Sequence, residues 1–366
     1  MKPVKNGILV CLSFADVHVH LREPGFTAKE TILTGTRAAA RGGYTLVCPM
    51  PNLNPVPDAP ETLAIELEAI RKDAVVRVFP YCSITKGRKG LELVDFATLK
   101  GSCCAFSDDG SGVQSEAVML EAMKAAAREG VIIAAHCEDN TLPGVDPRSE
   151  WGQIERDLAL CARTGCHYHV CHISSRESVR LIREAKARGV NVTCETAPHY
   201  LTLCNEDVKD EGRFKMNPPI REAADRDALI EGLLDGTIDM IVTDHAPHSF
   251  DEKAKGLEGS AMGVVGLECA FRVLHDRLIR SQKVLSLEKL VELMSLNPRR
   301  RFNIPGGIEP GQRADITVID PEKCGVIDPR TFFSMGTATP FDGWETTGDV
   351  VMTMAGGKIA WEAERK

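Results

Sequence analysis

A chain of 366 residues with 43% hydrophobic content is long enough for one large core, such as an eight-stranded barrel of about 250 residues, and a smaller satellite. The formal charge of −8 and the scatter of lysine and arginine exclude a surface built for a nucleic-acid backbone, and no run of 18 apolar residues is present to cross a membrane. Thirteen cysteines are an odd number mostly set in apolar runs, so free buried thiols in a soluble cytoplasmic protein are expected rather than a disulfide framework.

In chain order the sequence repeats one unit, a short apolar run ending in polar or ionisable residues, followed by a stretch with helical patterning. The runs cover 14–20, 44–52, 75–85, 102–110, 131–139, 167–174, 190–203 and 237–248. Helical stretches between them include 28–41, 60–72, 115–128, 175–188 and 223–234. Eight strands with intervening helices predict an α/β protein with a (β/α)8 TIM-type barrel over 14–303, and no glycine-rich nucleotide loop follows the first strand. After Gly263 a long helical region is expected through Phe302. Segments 314–320 and 350–362 then read as strands, the second a hairpin turning at Gly356-Gly357. Residues 1–13 and 304–366 are expected to form a small β appendage.

In a parallel barrel the C-terminal strand ends form the active-site face. The first run ends His18-Val19-His20, and the one-residue gap puts both imidazoles on one side of an extended chain, where they can grip one ion. The fourth run ends Asp108-Asp109, the fifth carries His136, the sixth His172 and the eighth Asp244. A single histidine at a strand end is most often structural, but five strands ending in His or Asp are hard to explain that way. Four imidazoles and two carboxylates suit zinc, with cobalt or manganese as substitutes, and a shared aspartate makes a binuclear site the natural reading. Such a site would activate water and polarise an amide carbonyl, with Asp244 as both ligand and general base.

The decapeptide Asp16-Val17-His18-Val19-His20-Leu21-Arg22-Glu23-Pro24-Gly25 resembles the signature of class I dihydroorotases in the amidohydrolase superfamily. Similar segments follow in family order over roughly the first 265 residues: Met50-Pro51-Asn52, Phe106-Ser107-Asp108-Asp109-Gly110, Ala135-His136-Cys137-Glu138-Asp139, Val170-Cys171-His172, Met216-Asn217-Pro218-Pro219 and Thr243-Asp244-His245-Ala246-Pro247-His248. The resemblance implies that His18, His20 and Asp244 hold one zinc ion, that His136 and His172 hold a second, and that Asp109 bridges them, with Asp108 as the fallback. It implies a substrate site made of His20, Arg22, Asn52, Asn217, His248, Met262 and Gly263, where Arg22 offers a planar fork to a carboxylate. It also implies reversible hydrolysis of dihydroorotate to N-carbamoyl-aspartate in pyrimidine biosynthesis, a homodimer, and association with aspartate transcarbamoylase.

Segment 249–263 fits a loop over the site, and His199 fits a supporting position behind the ligands; His167 and His169 read as packing or surface residues. Relatives of this kind carry a longer segment before the H-x-H motif than the seventeen residues here, and a longer connection after Asp139. Half of a small β-sandwich is therefore expected either to be missing or to lie outside this sequence, the second being favoured because 314–318 would otherwise be an unpaired edge. Two rival readings stand beside this one. One is another cyclic amidase of the same fold, a hydantoinase or allantoinase. The other is a non-catalytic scaffold, which would be expected to lose metal ligands, whereas every ligand position here is filled.

Overall fold

A computed structural model of the chain describes residues 2–3 and 7–364; residues 1, 4–6 and 365–366, which belong to the expected terminal β segments, lie outside the described residues. Its strands are β1 (Lys2–Pro3), β2 (Leu9–Leu12), β3 (Phe14–Val19), β4 (Tyr44–Pro49), β5 (Arg77–Val78), β6 (Ile132–Ala135), β7 (His167–Val170), β8 (Val192–Thr196), β9 (Met240–Ile241), β10 (Ile316–Val326), β11 (Glu345–Ala355) and β12 (Lys358–Glu362). Strands β3, β4 and β5 form one parallel run, and β6 to β9 form another. Parallel bridges from Cys82 to Phe106, Phe106 to Ile133 and Val19 to His245 join the two runs into a closed ring, with the segment at Phe106 as its eighth stave.

Side chains alternate between the two faces of the staves, as a period of two requires. Ala15, Val17, Leu46, Cys48, Met50, Ile132 and Ala134 pack inside the ring, together with Tyr81 and with Phe302, which closes its floor. Phe14, Val47, Ile133 and Ala135 face the surrounding helices. Those helices are Ile32–Arg41, Pro60–Asp73, Glu116–Glu129, Arg148–Thr164, Arg176–Ala187 and Ala223–Asp235. Arg148–Thr164 was not among the helical stretches picked out from the pattern.

Two expected elements differ. The run 102–110 forms only a bridge at Phe106, because the chain turns directly afterwards: the Asp108 carbonyl accepts from the Ser111 and Gly112 amides at 3.0 and 3.2 Å. The region from Gly263 to Phe302 is helical as expected, but in two stretches, 270–281 and 287–301, rather than one. Lys283 interrupts it with a φ of 56°, and the Ser286 side chain caps the restart at Leu287–Val291.

The remaining strands form an antiparallel sheet in the order β1-β2-β10-β11-β12. The edge expected at 314–318 is therefore paired on both sides, β10 running from Ile316 opposite Leu12 to Ile319 opposite Leu9 while its other side meets β11. The hairpin from β11 to β12 turns at Gly356 and Gly357, whose φ of 58° and 81° suit glycine. Arg41 clamps this sheet to the barrel, its guanidinium donating to both Asp349 oxygens at 3.0 and 3.1 Å while lying 4.5 Å from the Trp361 ring. Among the described residues all thirteen cysteines are free thiols, and no helix is long and apolar enough to cross a membrane.

Candidate metal centre and substrate cavity

Every metal-ligand candidate lies at the C-terminal end of a stave. Pairing of β3 with β4 is interrupted between Asp16 and Val19, the kind of irregularity that re-aims side chains beside active sites. His18 is fully buried there, and His20 faces the opening. Asp244 and His172 hold positive φ values of 47° and 31°, and Arg22 one of 62°. Three non-glycine residues in that region at one barrel mouth mark a site whose surroundings impose its backbone.

The polar atoms converge on Asp109. Its Oδ1 lies 3.5 Å from His18 Nε2, 3.8 Å from His136 Nδ1 and 3.7 Å from His172 Nε2, and its Oδ2 lies 3.7 Å from His20 Nε2. Asp244 Oδ1 stands 3.1 Å from His20 Nε2 and 3.6 Å from His18 Nε2. Two ligand clusters thus share one carboxylate, one with His18 and His20, the other with His136 and His172. Ligands about 2 Å from a common tetrahedral ion are roughly 3.3 Å apart, close to these separations. His18 Nε2 and Asp109 Oδ1 are buried without a hydrogen-bond partner, as ligand atoms aimed at an ion would be. The donor set fits a metal centre. Asp108 turns away, accepting from the Ile84 and Thr85 amides at 2.9 and 3.1 Å and from the Thr85 hydroxyl.

Burial alone would raise both carboxyls of the centre. Around Asp109 the neighbouring imidazoles of His18, His172 and His20 outweigh burial and hold it well below the ordinary carboxylate range. Around Asp244, His20 and His18 do the same. Both acids are accordingly ionised and suited to act as ligands.

A layer that sequence reasoning missed orients these ligands. Glu195, fully buried on β8, accepts from His18 Nδ1 at 2.6 Å and from His169 Nε2 at 3.0 Å, so His18 presents Nε2 to Asp109 and His169 is an interior support. Glu138 accepts from His136 Nε2 at 3.0 Å and from the Asn217 amide at 2.8 Å, leaving His136 Nδ1 for the centre. Arg88 donates to the Asp109 carbonyl and to Ser111 Oγ. A buried acid within an apolar strand run, as at Glu195, is the signal that could have drawn attention. Cys171, His18 and Glu195 also lie close enough to be ligands, but there the Glu195 oxygens are already taken by His18 Nδ1 and His169 Nε2.

A cavity of about 210 Å³ opens over the centre. It is lined by His20, Arg22, Asn52, Asp109, Gly110, His136, His172, Asn217, Asp244, Ala246, His248, Met262 and Gly263, so every substrate-site candidate borders it. Arg22 is pinned by Nε donating to the Pro247 carbonyl at 3.1 Å. Asn52 Oδ1 accepts from His20 Nδ1 at 2.9 Å, which gives Asn52 a ligand-orienting contact as well as a place on the cavity wall. His248 Nε2 donates to the Met262 carbonyl at 2.8 Å; burial, with Arg22 and Lys29 nearby, lowers its pKa to about 4 and keeps it neutral. His199 is buried against Tyr200 with no hydrogen bond at Nε2, and it lies near enough to Asp244 and His172 for their charges to act on it. A larger recess of about 330 Å³ beside Trp151 and Arg221 contains no converging ligand set.

A barrel whose C-terminal mouth gathers four imidazoles around a buried aspartate, under a small polar cavity, defines a metal-dependent hydrolase of the amidohydrolase kind. A family model described as dihydro-orotase-like matches residues 7–151. Curated dihydroorotases from Geobacillus sp. strain WCH70 and Geobacillus thermodenitrificans strain NG80-2 are 50% and 52% identical over 381 and 380 residues, spanning 99% and 98% of this chain and 89% of each relative. The chain belongs to the dihydroorotase family. Both alignments are longer than the 366-residue chain, so these relatives carry internal residues without a counterpart here. Among solved structures, the L-hydantoinase (dihydropyrimidinase) from Arthrobacter aurescens superposes with a TM-score of 0.87 at 25% identity, covering 96% of this chain and 85% of that one. The dihydropyrimidinase from Brevibacillus agri gives 0.85 at 22% identity, with 96% and 85% covered.

Proposed function

We propose that this chain interconverts dihydroorotate and N-carbamoyl-aspartate at a centre of two zinc ions, one held by His18, His20 and Asp244, the other by His136 and His172, with Asp109 between them. The observation that carries this reading is the Asp109 carboxylate, whose Oδ1 lies within 3.8 Å of nitrogens from three histidines. When bound, zinc lowers the pKa of water and polarises the amide carbonyl. In hydrolysis, water adds across the ring amide. Its oxygen joins the carbonyl carbon, the ring carbon–nitrogen bond breaks, and the two protons of water end on the product nitrogen and the new carboxyl before ionisation.

Asp244, ionised and at the cavity wall, takes a proton from water and delivers it to the leaving nitrogen; ring closure runs the same transfers backwards. Arg22 receives the substrate carboxylate, with Asn52, Asn217 and His248 disposed around the ring and the Met262-Gly263 backbone along one side. This reading includes a barrel over 14–303 flanked by a small β unit from 1–13 and 304–366, a homodimer, a cytoplasmic setting and association with aspartate transcarbamoylase.

The test is hydrolysis of dihydroorotate, hydantoin and allantoin by purified protein before and after chelation and zinc restoration. Activity on dihydroorotate that is lost with chelator and regained with zinc is expected. Asp244→Asn should lower kcat by about a thousandfold, within the range of a lost general base. Preference for another ring would overturn the substrate assignment, and zinc-replete inactivity would overturn catalysis by the chain alone.

A further inference from the structure

The segment after His248 contains a buried cation that the chemistry above leaves unused. Lys253 closes the short helix Phe250–Lys253, and its Nζ donates to the carbonyls of Lys215 at 3.0 Å, Ala261 at 2.7 Å and Gly263 at 2.7 Å. An ammonium has three hydrogens, and all three are used. The adjacent Glu252 carboxylate acts on it through charge alone and is itself engaged by Lys29 and the Ser249 hydroxyl. A buried charge is tolerated only where it is fully hydrogen-bonded, and here backbone carbonyls alone do that work.

Those carbonyls come from two separate walls of the cavity over the metal centre. Lys215 is two residues before Asn217, whose amide is held by Glu138; Gly263 belongs to the adjoining wall, next to Met262, whose carbonyl accepts from His248 Nε2. The Gly263 amide also donates to the Lys215 carbonyl at 3.0 Å. Gly263 has a φ of +135°, and a Cβ there would stand 2.6 Å from the Ala246 carbonyl and 3.2 Å from His248 Cδ2, so this wall has no slack on its inner side. Without a cation between them, three converging carbonyl dipoles repel.

We propose that Lys253 is a positioning residue for substrate binding: its ammonium draws the Gly263 wall and the Lys215–Asn217 wall together and so sets the spacing of the groups that border the substrate. The inference rests on the reading of Asn217, Met262 and Gly263 as substrate contacts given above. Lys253 touches neither substrate nor metal, so its loss acts on ground-state fit more than on the chemical step.

Three variants test it with dihydroorotate as substrate. Lys253→Met keeps the aliphatic stem and removes the charge. Lys253→Ala leaves space for an added propylammonium ion, and a cavity of about 200 Å³ borders Lys253 beside Phe250 and Ala254. Asn217→Ala probes the wall itself. Lys253→Met should raise KM by about tenfold with kcat within about threefold and zinc content equal to the parent's, the signature of lost ground-state binding. Propylammonium should restore KM in Lys253→Ala and leave Lys253→Met unchanged, and this rescue decides the matter if Lys253→Met does not fold.

Unchanged KM in Lys253→Met, while Asn217→Ala raises it, overturns the role of Lys253. Unchanged KM in both overturns the reading of the wall, and the inference falls with it. Loss of zinc together with kcat, unrelieved by the amine, would make Lys253 a general stability element and also overturn the proposal.

Discussion

At the scale of single residues, the candidate ligands depend on Glu195 and Glu138, which fix the imidazole nitrogen that His18 and His136 turn toward Asp109. His18, His20, His136, His172, Asp109 and Asp244 gather at one mouth because a parallel barrel brings strand ends to one face, so position along each run predicts position in space. Glu195 and Glu138 are meaningful only through partners far away in sequence or on another stave, which no local pattern displays. Glu195 carries a testable consequence. It accepts from His18 and His169 through its two oxygens, and Glu195→Gln would replace one acceptor with a donor facing an imidazole N–H. His18 would then lose its fixed tautomer. Zinc affinity of Glu195→Gln, measured by competition with a chromophoric chelator, should fall by about 10- to 100-fold while the circular dichroism spectrum stays that of the parent. Unchanged affinity would mean that packing alone orients His18.

At the scale of elements, Glu268 links the turn before Ala270–Leu274 to segment 333–334, accepting from the Phe333 amide at 2.8 Å and the Ser334 amide at 3.1 Å. Burial raises its pKa from the usual 4.5 to about 7, against the opposing pull of these hydrogen bonds. The folded state therefore binds a proton between those two values that the unfolded chain has released. This contribution to stability is fully present below pH 4.5 and is lost as pH rises through 7, by up to about 3 kcal/mol. Glu268→Gln keeps an acceptor oxygen and removes the ionisation. Its melting temperature should exceed the parent's at pH 8, and the advantage should shrink toward zero at pH 5; an equal gain at both would show that the charge is not the cause. Elements of this region were the least legible in the sequence. The stretch after Gly263 has continuous helical patterning, but a left-handed residue at Lys283 and a cap at Ser286 divide it, and neither disturbs the apolar spacing. The stave at Phe106 is short for a similar reason, since a turn held by backbone hydrogen bonds follows directly. Strand order was legible, whereas pairing of β2 with β10 joins residues about 300 positions apart and lies beyond any local pattern.

At the scale of the whole molecule, the metal centre and the closure of the barrel are one structure. The ring joins its first and last staves at Val19 and His245, where the His20 amide donates to the His245 carbonyl at 2.8 Å and the Thr243 amide donates to Asp16 at 2.9 Å. His18 and His20 come from one side of that seam and Asp244 from the other, while Asp109, His136 and His172 reach in from across the ring. An ion held by these groups binds only the closed barrel, because the unfolded chain does not assemble them, so its binding energy is also folding energy. At free zinc a thousandfold above the dissociation constant, this amounts to about 4 kcal/mol, which for a chain of this size corresponds to a shift in melting temperature of about 5 °C. Calorimetry of chelated and zinc-loaded protein should show that difference, with the upper transition recovered on adding zinc. Asp109→Ala, which removes the carboxylate common to both clusters, should melt at nearly the same temperature with and without zinc. A parent protein indifferent to zinc would mean that backbone pairing at the seam closes the barrel unaided, and that the metal serves chemistry alone.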